Sequence, residues 1–146
     1  MNIDHLIKHI KWAEGEGPRD SRGRFYLYKD SVDKWTFGWG HNVDDNGIDE
    51  DVAEHQLRND IDSAIEDCRG LDYWFELDSV RQLVVCDLVF NMGLPTWKTF
   101  IKAQSAIREG NYNKAAEEME DSRWHAQTGR RARKLVRMMR TGMYGV

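Results

Sequence analysis

Proline and cysteine are scarce in this chain, two of each in 146 residues. So little proline, with twelve scattered glycines, excludes polyproline and collagen-like architectures. No low-complexity tract or internal repeat appears, which argues against a disordered or solenoid protein. Long apolar runs are missing too. The longest, residues 83–92, is interrupted by Asp87 and Asn91 and is too short to span a bilayer, so no stable membrane insertion is expected. The opening MNIDHLIKHIKW lacks the basic-then-apolar pattern of a secretory signal, so synthesis in the cytoplasm is expected. Cys68 and Cys86 could pair, but two cysteines in an unexported chain are expected to stay reduced. Histidines and cysteines also lack ligand spacing, and neither metal nor cofactor is expected.

Charge is abundant, and it is segregated. Residues 44–67 carry ten acids against the single base Arg58, whereas residues 123–146 carry seven bases and no acid. Such segments form oppositely charged solvated faces, or the basic one meets an anionic polymer. The net charge of −4 makes nucleic acid a poor partner and leaves a local basic face for another anionic polymer open.

The periodicity changes along the chain. Ile3, Leu6, Ile7 and Ile10 predict an amphipathic helix over residues 3–13, stopped by Gly15, Gly17 and Pro18. After the polar, turn-like PRDSRGR, residues 25–28 read as a strand, SVDK as a turn and WTFGWGH as the hairpin partner. In that partner Trp35, Phe37 and Trp39 share one face and Thr36 takes the other. Asp45-Asn46-Gly47 is a further turn signal. Helical patterns follow: one capped by Asp49, a nearly all-apolar one opened by Asp78 or Ser79, then residues 97–108, 112–120 and 130–140. A small β lobe followed by a larger helical lobe is an α+β arrangement with a natural cleft at the junction. At this length it suits one domain, with the β lobe at about 14–47 and the helical lobe at about 49–146 plus the N-terminal helix.

Two carboxyls and a hydroxyl stand out in the N-terminal stretch. Glu14 leaves a helix end, Asp30 closes a strand, and Thr36 precedes FGWGH. An acid to protonate a leaving oxygen, a carboxylate to oppose positive charge and a hydroxyl to hold water suit glycoside cleavage. A general acid must keep its proton, for which partial burial of Glu14 is expected. Each residue also has a plainer reading, as an exposed helix-end glutamate, a turn aspartate and a strand threonine. Glu16 competes with Glu14, which is preferred because it lies one helical turn after Ile10.

WAEGEG, Tyr28-Lys29-Asp30, Thr36 and FGWGH together resemble the catalytic segment of phage-type lysozymes, the glycoside hydrolase family of the T-even phages. DLVFNMG at 87–93 resembles that family's central helix, and Ser122-Arg123-Trp124 with Gln127-Thr128 resembles its C-terminal signature. The resemblance implies a lysozyme-like fold with a small N-terminal β-hairpin lobe, a larger C-terminal helical lobe and an interlobe cleft. It implies Glu14, Asp30 and Thr36 as catalytic residues and Phe90, Asn91 and Arg131 as substrate-binding ones, with Arg131 returning to the catalytic glutamate. His41 with Asp60 is implied to be a structural pair. The segment from Glu14 to Asp30 is longer than in the T-even enzymes by PRDSRGR, and the region after His41 is shorter.

The implied activity is that of an endolysin cutting β-1,4 bonds between N-acetylmuramic acid and N-acetylglucosamine in peptidoglycan glycan strands. A monomer without cofactor is implied, made in the host cytoplasm and reaching the wall after a holin-type membrane protein permeabilises the membrane. A lytic transglycosylase acting on the same bond and an inactive wall-binding or virion module are the alternatives.

Overall fold

The structure, a computed structural model, describes residues 2–145. Its contacts divide the chain into two compact units, Met1–Glu54 and His55–Val146.

In the first unit, helix α1 runs over Ile3–Glu14. Asn2 caps it by accepting the His5 N–H at 3.1 Å, and Gly15, at φ 72°, ends it. Strands β1 (Tyr28–Lys29), β2 (Trp35–Phe37) and β3 (His41–Asn42) form an antiparallel sheet in that order. Tyr28 faces Thr36 and Lys29 faces Trp35; Thr36 in turn faces Asn42, and Phe37 faces His41. The hairpin is shifted from the sequence expectation. Phe25 bridges to Arg19 instead of entering the sheet, because the Tyr26 amide is taken by the Pro18 carbonyl. The third strand was not expected, and the turn signal at residues 45–47 closes a short helix, α2 (Val43–Asn46), capped by Asn42.

The inserted PRDSRGR segment folds on itself. Asp20 accepts the Arg22 and Arg24 amides on Oδ1 and the Arg24 Nε–H on Oδ2 at 2.7 Å. The Arg24 amide, with its guanidinium and the Arg22 amide, holds the Asp20 carboxyl down at about 2, outweighing an opposing effect of burial.

Helix α3 (Glu50–Arg69) leads into the second unit, followed by a 3₁₀ turn at Trp74–Glu76 and α4 (Ser79–Met92). Asp78 caps α4, accepting the Val80 and Arg81 amides at 3.0 Å. Residues expected as one helix, 97–108, separate into α5 (Leu94–Lys98) and α6 (Ile101–Arg108). Helix α7 (Tyr112–Glu120) has the expected bounds, α8 (Arg123–Thr128) was not expected, and α9 spans Arg130–Thr141. Val84, Val85 and Leu88 of α4 pack with Trp97, Met119, Val136 and Met139 in the core. At full burial each such side chain contributes roughly 1.5–3 kcal/mol. Leu83 and Phe90, by contrast, are 42% and 40% exposed, so one side of α4 opens outward.

Polar groups in this core are paired. Trp97 donates its indole N–H to the Tyr73 hydroxyl at 2.9 Å, Tyr73 donates to Gln104 Oε1 at 3.2 Å, and Gln104 Nε2 donates to the Trp97 carbonyl at 3.0 Å. Burial pushes the Tyr73 phenol up to about 12. Arg81 reaches the end of α9, donating to the Met139 and Arg140 carbonyls at 2.8 and 3.3 Å. A cation at a helix C-terminus meets unpaired carbonyls and the negative end of the macrodipole. Among the described residues no helix is long and apolar enough to cross a membrane.

Candidate active site

Glu14, Asp30 and Thr36 all lie in the first unit. The end of α1 meets the β2–β3 turn at two points. Lys11 Nζ stands 4.0 Å from the centre of the Trp39 ring, and the Glu14 carboxyl lies against Gly40. A Cβ at position 40 would come within 2.9 Å of Glu14 Oε2 and 3.1 Å of its Cδ. Gly40 also holds φ at 80°, so the position requires glycine for its backbone and for the glutamate beside it.

This contact separates the two glutamates of EGEG. Glu16 turns to Arg19 in a 3.1 Å ion pair, and Arg19 is also held by the Gly23 carbonyl and by the Phe25 ring. Glu14 is the one beside the sheet. The partial burial expected for it is not found, and the side chain is exposed. Helix α1 buries none of its residues, and a glycine turn has no side chains with which to cover a carboxyl.

Asp30 has two tasks. Its Oδ1 accepts the Val32 and Lys34 amides, both at 2.9 Å, and builds the β1–β2 turn, in which Asp33 takes φ 61°. Its Oδ2 faces Thr36 Oγ1 at 3.4 Å. The Lys34 amide, then those of Val32 and the Thr36 hydroxyl, hold the Asp30 carboxyl below its ordinary range, outweighing a raising contribution from burial. Asp30 is therefore an anion at neutral pH. Thr36 is the buried member of β2, 2% exposed, so its rotamer is fixed by packing. Its single hydroxyl proton has two acceptors in reach, Asp30 Oδ2 and the Lys34 carbonyl at 3.1 Å. Whichever takes the proton, the oxygen keeps lone pairs for a water.

Lys34 and the Trp35 amide are anchored from α2, by Asp45 at 2.8 Å and Asp44 at 2.9 Å. The acids after His41 thus brace the site hairpin, a role that their charge count did not reveal. His41 Nε2 meets the Gly47 carbonyl at 2.7 Å and therefore carries a proton there, and the ring packs edgewise on Phe37. Asp60, its implied partner, lies in the second unit and accepts from Gln56.

The second unit holds Phe90, Asn91 and Arg131, and these do not form one cluster. Phe90 and Arg131 line a groove of about 690 Å³ with Leu57, Ile61 and Leu83. Arg131 Nε is bound to Asp87 Oδ1 at 2.8 Å, a partner that the sequence did not suggest. Asn91 belongs to the neighbouring face, where its Oδ1 accepts the Trp124 indole N–H at 3.2 Å. That face has its own hollow of about 680 Å³, lined by Phe100, Ser122, Arg123, Trp124 and Gln127. The C-terminal signature therefore gathers around one concavity.

Residues 21–141 match the family model described as phage lysozyme. The chain belongs to the phage lysozyme family. It is similar to Probable T4-type lysozyme 1 of Dictyostelium discoideum, 33% identical over 171 aligned positions that cover 96% of each chain. Probable T4-type lysozyme 2 of the same organism is 25% identical over 170 positions, again with 96% of each chain covered. The small antiparallel sheet and the helices fit the α+β lysozyme-like fold of this family. Membership makes the protein a glycoside hydrolase, a lysozyme acting on peptidoglycan. The family match begins at Ser21, so it includes Asp30 and Thr36 and starts after Glu14.

Proposed function

We propose that this phage lysozyme is an endolysin that hydrolyses the β-1,4 bond between N-acetylmuramic acid and N-acetylglucosamine, with Glu14 as general acid. Glu14 protonates the departing glycosidic oxygen. Asp30, anionic and fixed by its turn, opposes the positive charge that develops on the sugar, and Thr36 orients the attacking water. Phe90, Asn91 and Arg131 bind the glycan strand from the second unit. The protein acts as a monomer in one catalytic domain, is made in the host cytoplasm, and depends on a holin-type protein for access to the wall.

The observation that carries this reading is the contact of Glu14 with the Gly40 turn, in the same sheet that holds the Asp30–Thr36 bond. The Asp30–Thr36 pair also favours hydrolysis over the transglycosylase reaction, which needs an acid but no positioned water.

The test compares wild type, Glu14→Gln and Glu16→Gln on purified peptidoglycan, with products analysed for 1,6-anhydro sugar. Glu14→Gln should lose at least about a hundredfold in rate. Glu16→Gln should stay close to wild type, since its carboxylate serves only an exposed ion pair. An active Glu14→Gln refutes the acid assignment, and anhydro products refute the hydrolase.

A further inference from the structure

Asp45 has no part in the chemistry above, yet it holds two neighbours of Thr36. Its Oδ1 accepts the Lys34 ammonium at 2.8 Å, and its Oδ2 accepts the Asn42 side-chain amide at 2.8 Å. Lys34 precedes Thr36 by two residues in the hairpin, and Asn42 faces Thr36 from β3. The Asp45 amide donates in return to Asn42 Oδ1 at 3.0 Å, which fixes residue 45 against its own cap. Beside it, Asp44 Oδ2 accepts the Trp35 amide at 2.9 Å. A single bond of this kind would leave the hairpin free to swivel, whereas two bonds on adjacent residues set its direction.

Lys34 carries the attachment to the reacting groups. Its amide donates to Asp30 Oδ1 at 2.9 Å. Its carbonyl accepts the Asp30 amide at 3.0 Å and lies 3.1 Å from the Thr36 hydroxyl. A rotation at residue 34 thus moves the donor that orients the Asp30 carboxylate together with an acceptor for the Thr36 proton. The tie to α2 is ionic. Asp45 holds the Lys34 ammonium above its ordinary range, and Lys34, then Asn42, hold the Asp45 carboxyl below its own. An ion pair as exposed as this one adds little to stability, so its consequence lies in where it attaches.

We propose that Asp45, with Lys34 and Asp44, is a positioning residue for the hydrolysis, aligning the Asp30 carboxylate and the Thr36 hydroxyl with the attacking water. The inference rests on the assignment of Asp30 and Thr36 given above. The three residues act through the Asp30 turn and not on the sugar.

The test measures kcat and KM separately on solubilised, uncrosslinked glycan strands, with thermal unfolding alongside. Lys34→Met keeps the amide and carbonyl of residue 34 and removes only the ammonium. It should lose about tenfold in kcat, with KM and melting midpoint close to wild type. Asp45→Ala should lose at least as much, and the double variant no more than Asp45→Ala alone. Lys34→Arg, whose guanidinium can still reach Asp45, should keep most of the rate. Arg24→Met removes another exposed ion pair of the first unit and should keep all of it. Full rate in Lys34→Met, additive losses, or a Lys34→Arg as slow as Lys34→Met overturns the proposal. So does a rate loss that tracks the melting midpoint. Lys34→Met and Lys34→Arg decide alone if Asp45→Ala fails to fold. Asp30→Asn and Thr36→Ala separate the two readings. Should both keep full rate, the assignment of the pair is refuted and the positioning role falls with it. Should both be inactive while Lys34→Met is fully active, only the positioning role is refuted.

Discussion

Replacing Gly40 by alanine tests whether the place of Glu14 beside the sheet matters to catalysis. Two costs arise, and they are separable. The first is backbone strain, because an L-residue at φ 80° is disfavoured by roughly 1–2 kcal/mol. The second is steric. The new methyl would stand 2.9, 3.1 and 3.3 Å from Oε2, Cδ and Cγ of Glu14, whereas carbon contacts are comfortable at about 3.5–4.0 Å. The end of a flexible glutamate can move by the missing half ångström or more, so the steric cost falls on the position of the carboxyl. Misplacing a reacting group by about 1 Å can lose a hundredfold in rate, and a loss between about tenfold and a hundredfold is expected. Gly110→Ala is the control. Its φ is 69° and a Cβ there would meet nothing within 4 Å, so it should lose a similar stability and none of the activity. Thermal unfolding by circular dichroism gives the first quantity, and release of reducing ends from purified peptidoglycan the second. In a Glu14→Gln background, Gly40→Ala should cause little further loss, since the group it displaces is already disabled. Equal activity losses in the two alanine variants, or full activity in Gly40→Ala, would refute the reasoning.

Acid unfolding should report the Asp30 turn. Its folded pKa lies below that of the unfolded chain, so its stabilisation is present above the ordinary carboxylate range and vanishes as pH falls through the folded value. Asp30→Asn should accordingly be less stable than wild type at neutral pH, with a gap that closes on acidification in urea titrations. A gap constant with pH would contradict this. Tyr73→Phe leaves the Trp97 N–H and Gln104 Oε1 without their core partner and should cost about 1–3 kcal/mol in chemical denaturation. Arg81→Met removes the cation from the end of α9 and should cost about 1–2 kcal/mol, read as a lower melting midpoint.

Helices announced themselves in the sequence where an apolar stripe or a cap was strong. Asp78 before Val80, Val84 and Leu88 placed α4, and Asn111 with Ala115, Ala116 and Met119 stands behind α7. Short elements were not legible: β3 has only two residues and α2 only four, too few for any period to register. The run at 97–108 read as one helix because its apolar spacing continues past Thr99 and Phe100, where the backbone leaves the helix. In the site, the residue types and their order were visible, but the discrimination of Glu14 from Glu16 rests on Gly40, far along the chain. Likewise, nothing in the spacing of Asp87 and Arg131 marks them as partners across two helices.

The hairpin at residues 18–26 has one more implication. Its bonds close among Glu16, Pro18, Arg19, Asp20, Gly23, Arg24 and Tyr26, apart from the Phe25–Trp39 ring contact at 5.0 Å. Such a segment behaves as a cassette, because its fold is specified inside itself and, among the described residues, one aromatic ring contact fastens it to the β2–β3 turn. Loops of different length and charge can be exchanged at this position while Glu14 upstream and Asp30 downstream keep their own anchors. Framed by those two anchors, PRDSRGR is an exchangeable rim. Diversification of this rim can therefore proceed one loop at a time, at little cost to the hairpin that carries the chemistry.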